Sequence, residues 1–242
     1  MPTKTILVLA NSLKKGGRCI AGREVLWLPD GRWHFGGWIR PVSAHGQGEL
    51  DHEEAIKEDG AQVQVMEFAT VALARNEGEE CQPENWVIEG GAGPRCWSKL
   101  DRPCKLPPMG ALEEKPADLW IDKAEMNDRI SPHRLAELRP GFSLCVIRPE
   151  ELVLAWWSEM NTFKKRPQGK FRARFTYNGL KYELSLTDPL ATERYCQPLP
   201  AVGEKPRTLP LKSAHGPLLC ISLTPVFSGF HYKVAATILG CD

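Results

Sequence analysis

No window of this 242-residue chain approaches the roughly 18 consecutive apolar residues of a membrane span, so no membrane helix is expected. Met1–Lys4 leads straight into the run "TILVLA", too short for the core and cleavage site of a signal peptide. A cytoplasmic protein is therefore expected. Charge of one sign is missing as well: Lys and Arg number 31 against 30 Asp and Glu. Attraction of the whole molecule to nucleic acid is not implied, and any such surface has to come from local patches. Close-spaced cysteines are also lacking. The eight cysteines include no Cys-x-x-Cys pair, and structural zinc sites usually depend on such pairs. Cys81, Cys96 and Cys104 share one segment, with His133 further on, and we expect no metal there. Cys145 and Cys220 lie in strand-like apolar runs, where a thiol behaves as a small hydrophobe. Reduced thiols suit the expected compartment.

Nucleotide-binding fingerprints are missing too. "NSLKKGGRCIAGRE", Asn11–Glu24, follows an apolar run as a phosphate loop would. A P-loop needs Lys and a hydroxyl residue after its second glycine, whereas Gly22 is followed by Arg23 and Glu24. No G-x-G-x-x-G occurs. A strand connection is the simpler expectation, with Gly16, Gly17 and Gly22 permitting φ > 0. Cys19 has basic neighbours that would lower its pKa, but no signature selects among His34, His45 and His52 as its base, and a buried thiol is expected. Asp51, Glu53, Glu54, Glu58 and Asp59 read as a solvated charge run, and Asp188 as a turn residue before Pro189. With no catalytic set and no cofactor motif, an enzyme is not expected and no cofactor is assigned.

What is present is strand. "TILVLANS", "REVLWL", "GGWIRPVS", "QVQVMEFATVAL", "FSLCVIRP", "LVLAWW", "KFRARFTY", "KYELSLTD", "LLCISLT" and "YKVAATIL" are short, β-branched or aromatic, and bounded by turn residues. Asn178-Gly179 and Asp30-Gly31 each signal a hairpin. Residues 76–118 are rich in Pro and Gly, with Trp86, Trp97 and Trp120 as anchors of a long connector. "ADLWIDKAEMNDRIS" suggests a short helix that Ser131-Pro132 stops or restarts.

The most functional-looking feature is "FKKRPQGKFRARFTYNGLKYEL". Period-two alternation puts Arg172 and Arg174 on one sheet face and Phe171, Phe175 and Tyr177 on the other. With Lys164, Lys165, Arg166, Lys170 and Lys181 it forms a basic, aromatic-interleaved surface suited to a phosphate backbone and its bases. A solvated basic strand over an aromatic core is the plain alternative.

"KTILVLANSLKKGGRCIAG", "GWIRPVS", "QPENWVI", "RARFTYNGLKYELSLTDP" and "SLTPVFSGFHYKVAATIL" together resemble the bacterial family described as dual OB domain-containing proteins. The departures are mild: a Pro-rich stretch at 199–215, and Ser228 and Phe230 in "PVFSGFHYK". The resemblance implies a mainly β chain of two small OB-like barrels. We expect the first over residues 1–75, a connector with a short helix over 76–140, and the second over 141–242. It also implies nucleic-acid binding and a link to mobile-element or defence contexts, and it supplies no catalytic residues. The connection "KKGGRCIAG", Lys14–Gly22, then becomes a ligand-lining loop, with Lys14, Lys15 and Arg18 as phosphate contacts and Trp38 and Arg40 nearby. The leading expectation is a non-enzymatic protein that binds single-stranded DNA or RNA. The rival is a subunit that binds a protein partner or senses a small nucleotide ligand; the near-neutral charge and the Trp-bearing connector favour it.

Overall fold

The computed structural model describes residues 2–241 except 15, 46, 80, 90–94, 101–103, 122–126 and 214. Strand accounts for 52% of it and helix for 9%, which makes the protein mainly β. Two compact units form, Met1–Pro107 with Gly141–Ser143, and Pro108–Pro140 with Leu144–Asp242. The stretch expected as a connector is thus divided between the units, its part up to Pro107 belonging to the first.

The first unit contains β1 (Thr3–Lys14), β2 (Gly17–Trp27), β3 (Trp33–Val42), β4 (Phe68–Asn76), β5 (Asn85–Ile88) and β6 (Trp97–Lys99). Hydrogen bonding follows β1-β2-β3-β5-β4-β6, and β1 also pairs with β4, so five strands close into a barrel. β3 and β5 run parallel, and the other pairings are antiparallel. Closure removes the free edges that leave an open sheet prone to pairing. The β-branched and aliphatic alternation of β1 and its neighbours places Ile6, Val8, Ile20, Ile39, Val71 and Leu73 in one core with Trp97. The Trp97 indole donates to the Glu54 carbonyl at 2.8 Å, which ties the expected connector to the turn at Glu53–Ala55 between β3 and β4.

The glycines of the opening stretch do different jobs from those expected. Gly16 alone takes a positive φ, 93°, in the reversal between β1 and β2, where Lys14 pairs with Gly17. Gly17 and Gly22 are needed for space: a Cβ on either would run into backbone, the carbonyls of Leu50 and Leu7 respectively.

The second unit contains β7 (Arg129–Ile130), α1 (Pro132–Leu138), β8 (Leu144–Ile147), β9 (Glu150–Asn161), β10 (Arg166–Tyr177), β11 (Leu180–Leu186), α2 (Pro189–Tyr195), β12 (Arg207–Pro210), β13 (Leu218–Phe227) and β14 (Phe230–Leu239). Its sheet runs β12-β9-β10-β11-β14-β13-β8, with β11 and β14 parallel. Only Arg148 and Pro149 separate β8 from β9. Taken as one interrupted strand, β8–β9 flanks both ends of β10-β11-β14-β13, the cyclic order of the first barrel. Pro149 has no N–H for a ladder, which explains the break. Ala173, Phe175 and Tyr177 face inward, and Phe175 stacks on Tyr182 across β11 with centroids 5.3 Å apart.

Asn178 and Gly179, at φ 48° and 76°, make the expected two-residue hairpin. Asp30-Gly31 sits instead in a five-residue loop between Trp27 and Trp33, where the Asp30 carboxylate accepts from the Arg32 N–H. Ser228-Gly229, not expected as a turn, repeats the 178–179 geometry at φ 48° and 83°. The helix expected over 117–131 does not form in its described part: Trp120 has φ 52°, and residues 129–130 are strand. Residues 122–126 lie outside the described residues. The helix starts at Pro132, because Ser131 accepts from the Arg134 N–H and proline suits the first helical position. Asp188-Pro189 starts α2 the same way, so Asp188 is a helix cap rather than a simple strand-ending turn residue.

Candidate nucleic-acid interface

Along β10 the alternation that buries Ala173, Phe175 and Tyr177 turns Lys170, Arg172 and Arg174 outward. Each is held by a neighbour on its own face. Lys170 pairs with Glu159 of β9 at 3.0 Å, and Arg174 with Glu183 of β11 at 2.9 Å. Arg172 donates to the Ser185 hydroxyl at 2.6 Å, and its guanidinium lies 5.8 Å from the Trp157 ring centroid. Lys181 is exposed opposite Thr176, on the same face. Both members of the Arg174–Glu183 pair are about two-fifths exposed (43% and 42%). Such pairs are worth only about 0–1 kcal/mol, so an incoming phosphate can exchange with the carboxylate.

Lys164, Lys165 and Arg166 are exposed at the β9–β10 reversal. The Asn161 side chain orders that reversal, accepting from the N–H groups of Phe163 at 3.0 Å and Lys164 at 2.8 Å. Seven cations therefore share β10, β11 and the β9–β10 turn, and Glu159 and Glu183 are the carboxylates that pair with them.

The first barrel treats its expected contacts differently. Lys14 donates to the Gln47 carbonyl at 2.7 Å and pairs with Glu49 at 3.2 Å. Lys15 lies outside the described residues. The Arg18 guanidinium donates to the side chains of Asn11 and Gln62, both at 3.3 Å, while its backbone bridges to Leu50. Arg40 is buried: it pairs with Glu84 at 2.9 Å and donates to the Ser143 hydroxyl at 2.9 Å. Trp38 is half-buried opposite Arg23.

Arg23 was missed by sequence reasoning. It donates twice to the Gly36 carbonyl, at 3.0 and 2.7 Å, and lies 5.6 Å from the Phe35 ring and 5.9 Å from that of Trp38. Trp33 packs edge-on against Phe35 and Phe68. The signal was in "WHFGGWIRP": Trp33 and Phe35 alternate, and the Gly-Gly after them marks a bulge that returns Trp38 to their face.

Covalent chemistry finds little support at Cys19. Burial raises its thiol pKa, outweighing the nearby Lys14 and Arg40 charges that lower it. That is the reverse of an activated nucleophile. Burial likewise pushes Cys81 and Cys96 up to about 11. Among the described residues, no group of three His, Cys, Asp or Glu is placed to hold a metal ion. None of the described helices is long and apolar enough to cross a membrane.

A family model described as the dual OB-containing domain matches residues 4–238. The chain belongs to this dual OB-containing family. No curated protein matches it. In OB-folds the face of strands two and three and the loops joining strands one–two and four–five meet oligonucleotides. For the second OB unit these are β10, β11, and the β9–β10 and β13–β14 turns, so the basic face and the Lys164–Arg166 tip occupy ligand positions of the fold. For the first they are β2 and β3, where Arg23, Trp33, Phe35 and Trp38 stand.

Proposed function

We propose that this dual OB-containing protein binds single-stranded nucleic acid without chemically transforming it, chiefly through the second barrel. The observation that carries the reading is the coincidence of seven cations, Lys164, Lys165, Arg166, Lys170, Arg172, Arg174 and Lys181, with the strand pair and turn that OB-folds use for oligonucleotides. Lys and Arg in such a groove follow the phosphates, and recognition with little sequence preference is the expected result. Arg23 with Trp33, Phe35 and Trp38 extends the reading to the first barrel. Lys14 and Arg18 are secondary contacts because they already have partners, and Arg40 is left out because its charge is buried against Glu84.

The test is fluorescence anisotropy of labelled single-stranded DNA and RNA at about 50 and 200 mM salt, the span over which phosphate contacts weaken sharply. Micromolar or tighter binding that weakens steeply with salt supports the reading. A folded protein that binds neither strand at the lower salt refutes it. A protein-interaction module is the second reading, favoured by Leu190, Leu199 and Val202 of the second unit, which are 56%, 41% and 44% exposed. It predicts partner capture that salt leaves largely intact.

A further inference from the structure

Among the described residues, Phe163 and Phe227 are the exposed aromatic side chains, at 96% and 63%. Every other Phe, Tyr and Trp is buried or half-buried. These two do not sit at arbitrary places. Phe163 stands in the β9–β10 turn, and Phe227 closes the β13–β14 hairpin opposite Phe230. In barrel order these are the one–two and four–five connections, the two loops that adjoin the ligand face of an OB-fold.

Each tip is also a tight turn with cations beside it. The Asn161 carboxamide oxygen holds the backbone at Phe163 and Lys164, and three cations follow Phe163 directly. At the other tip the turn is two residues long. Phe227 lies 6.2 Å from Tyr232, and the Arg129 guanidinium lies 5.3 Å from the Phe230 ring and 5.9 Å from that of Tyr232. An exposed phenylalanine forgoes the stabilisation that burial gives. On a tight turn beside cations, a flat ring can offer its face to a base while the cations meet the adjoining phosphates.

We infer that Phe163 and Phe227 are base-stacking platforms at the two loop tips of the second barrel, so that this site selects nucleic acid with unpaired bases over duplex. This rests on the nucleic-acid reading above and adds the side chains that read the unpaired bases. A partner protein seated on the two phenylalanines is the competing occupant.

The experiment uses the full chain, a labelled single-stranded oligonucleotide and the matching duplex. Phe163→Leu and Phe227→Leu keep apolar bulk but remove the flat ring, and Phe163→Trp keeps it. Each leucine variant is expected to weaken single-strand binding by about 5- to 150-fold, the range for loss of one stacked base. Duplex affinity and the slope of affinity against salt should be unchanged, because no charge is lost. Phe163→Trp should bind as the parent does. The turns are exposed, so the parent melting temperature is expected throughout.

If Arg172→Glu/Arg174→Glu loses binding while both leucine variants bind like the parent, the stacking inference fails and the nucleic-acid reading stands. If the leucine variants lose single strand and duplex equally, selection for unpaired bases fails. If the parent binds no nucleic acid, both fall. Capture of a partner protein that the leucine variants abolish, with nucleic-acid binding intact, overturns the inference in favour of the competing occupant.

Discussion

Replacing Glu84 with Ala should destabilise the first unit by about 3–5 kcal/mol, the cost of leaving a buried charge without its partner. The side chains of Arg40 and Glu84 are only 7% and 4% exposed and stand 2.9 Å apart. Glu84 also accepts from the Ser143 hydroxyl and, at 3.3 Å, from the Ser143 N–H, while Arg40 donates to that hydroxyl. Removing the carboxylate therefore strips one buried guanidinium and one buried serine at once. For a unit of about 110 residues, each kcal/mol shifts the melting temperature by about 4 °C, so the expected drop is about 12–20 °C. Scanning calorimetry of the full chain reads this directly. Arg40→Met/Glu84→Leu removes both charges together with their desolvation cost and should recover only the part of the loss that comes from the unpaired guanidinium. What remains is the Ser143 hydroxyl and N–H, at about 1–3 kcal/mol for each group left unsatisfied. A Glu84→Ala loss below about 1 kcal/mol would show that the pair is hydrated in solution. The double variant should also bind single strands with the parent salt slope. A slope reduced by about 0.7, the value of one phosphate contact on a single strand, would return Arg40 to the interface and refute its assignment as a structural residue.

Neutralising Arg172 and Arg174 to Gln removes two of the seven proposed phosphate contacts, so the affinity lost between about 50 and 200 mM salt should shrink from about 900-fold to about 130-fold. The same change at Arg134 and Arg139 should leave it unaltered, and equal behaviour of the two pairs in anisotropy titrations would sink the patch assignment. Burial raises the Asp188 carboxyl pKa, so the folded chain holds that proton more tightly than the unfolded one. Between the ordinary carboxylate value and the raised one, stability falls as pH rises. Asp188→Asn keeps the cap of α2 and should flatten that slope in urea titrations, whereas Asp188→Ala should cost about 1 kcal/mol. Cys19 should react with iodoacetamide at neutral pH no faster than the other thiols, because burial holds it protonated; selective labelling in a peptide map would revive a nucleophilic role.

The strands were legible wherever a single face decides the pattern. "FRARFTY" alternates because one side of β10 fills the barrel, and the structure buries Ala173, Phe175 and Tyr177 accordingly. Asn178-Gly179 was legible because the turn itself demands positive φ, and Ser228-Gly229 was not because serine rarely takes that conformation. "QVQVMEFATVAL" alternates from Gln62, yet β4 begins at Phe68. Met66 takes φ 63°, and the Glu67 carboxylate turns to meet the Lys57 ammonium and the Gln64 N–H. Those contacts turn the chain just before β4 and end the period-two pattern there, because the Glu67 partner is a lysine ten residues back rather than a neighbouring strand position. The site divided along the same line. The β10 cations follow from alternation within one strand. The Arg40 pairing depends on Glu84 and Ser143, and Arg23 becomes part of a cluster only once the register brings Trp38 opposite it.

That division bears on which barrel the proposed function assigns to the nucleic acid. The first unit holds 13 Lys and Arg against 15 Asp and Glu, and the second holds the remaining 18 against 15. The chain's near-zero net charge is thus an average over a slightly acidic and a basic unit, and it misrepresents both. In the first barrel Lys14, Arg18, Arg23 and Arg40 have protein acceptors within hydrogen-bond reach, so a phosphate there has to displace a carboxylate, carboxamide or backbone carbonyl. In the second barrel the acceptors are two exposed carboxylates and a serine, and the Lys164–Arg166 turn is open to solvent. Displacing an exposed ion pair costs little, whereas stripping a buried one leaves a charge unpaired. With the OB-fold common to both barrels, the difference in what already occupies their cations is the reason the proposed function assigns the strand chiefly to the second barrel and gives the first only the rings around Arg23.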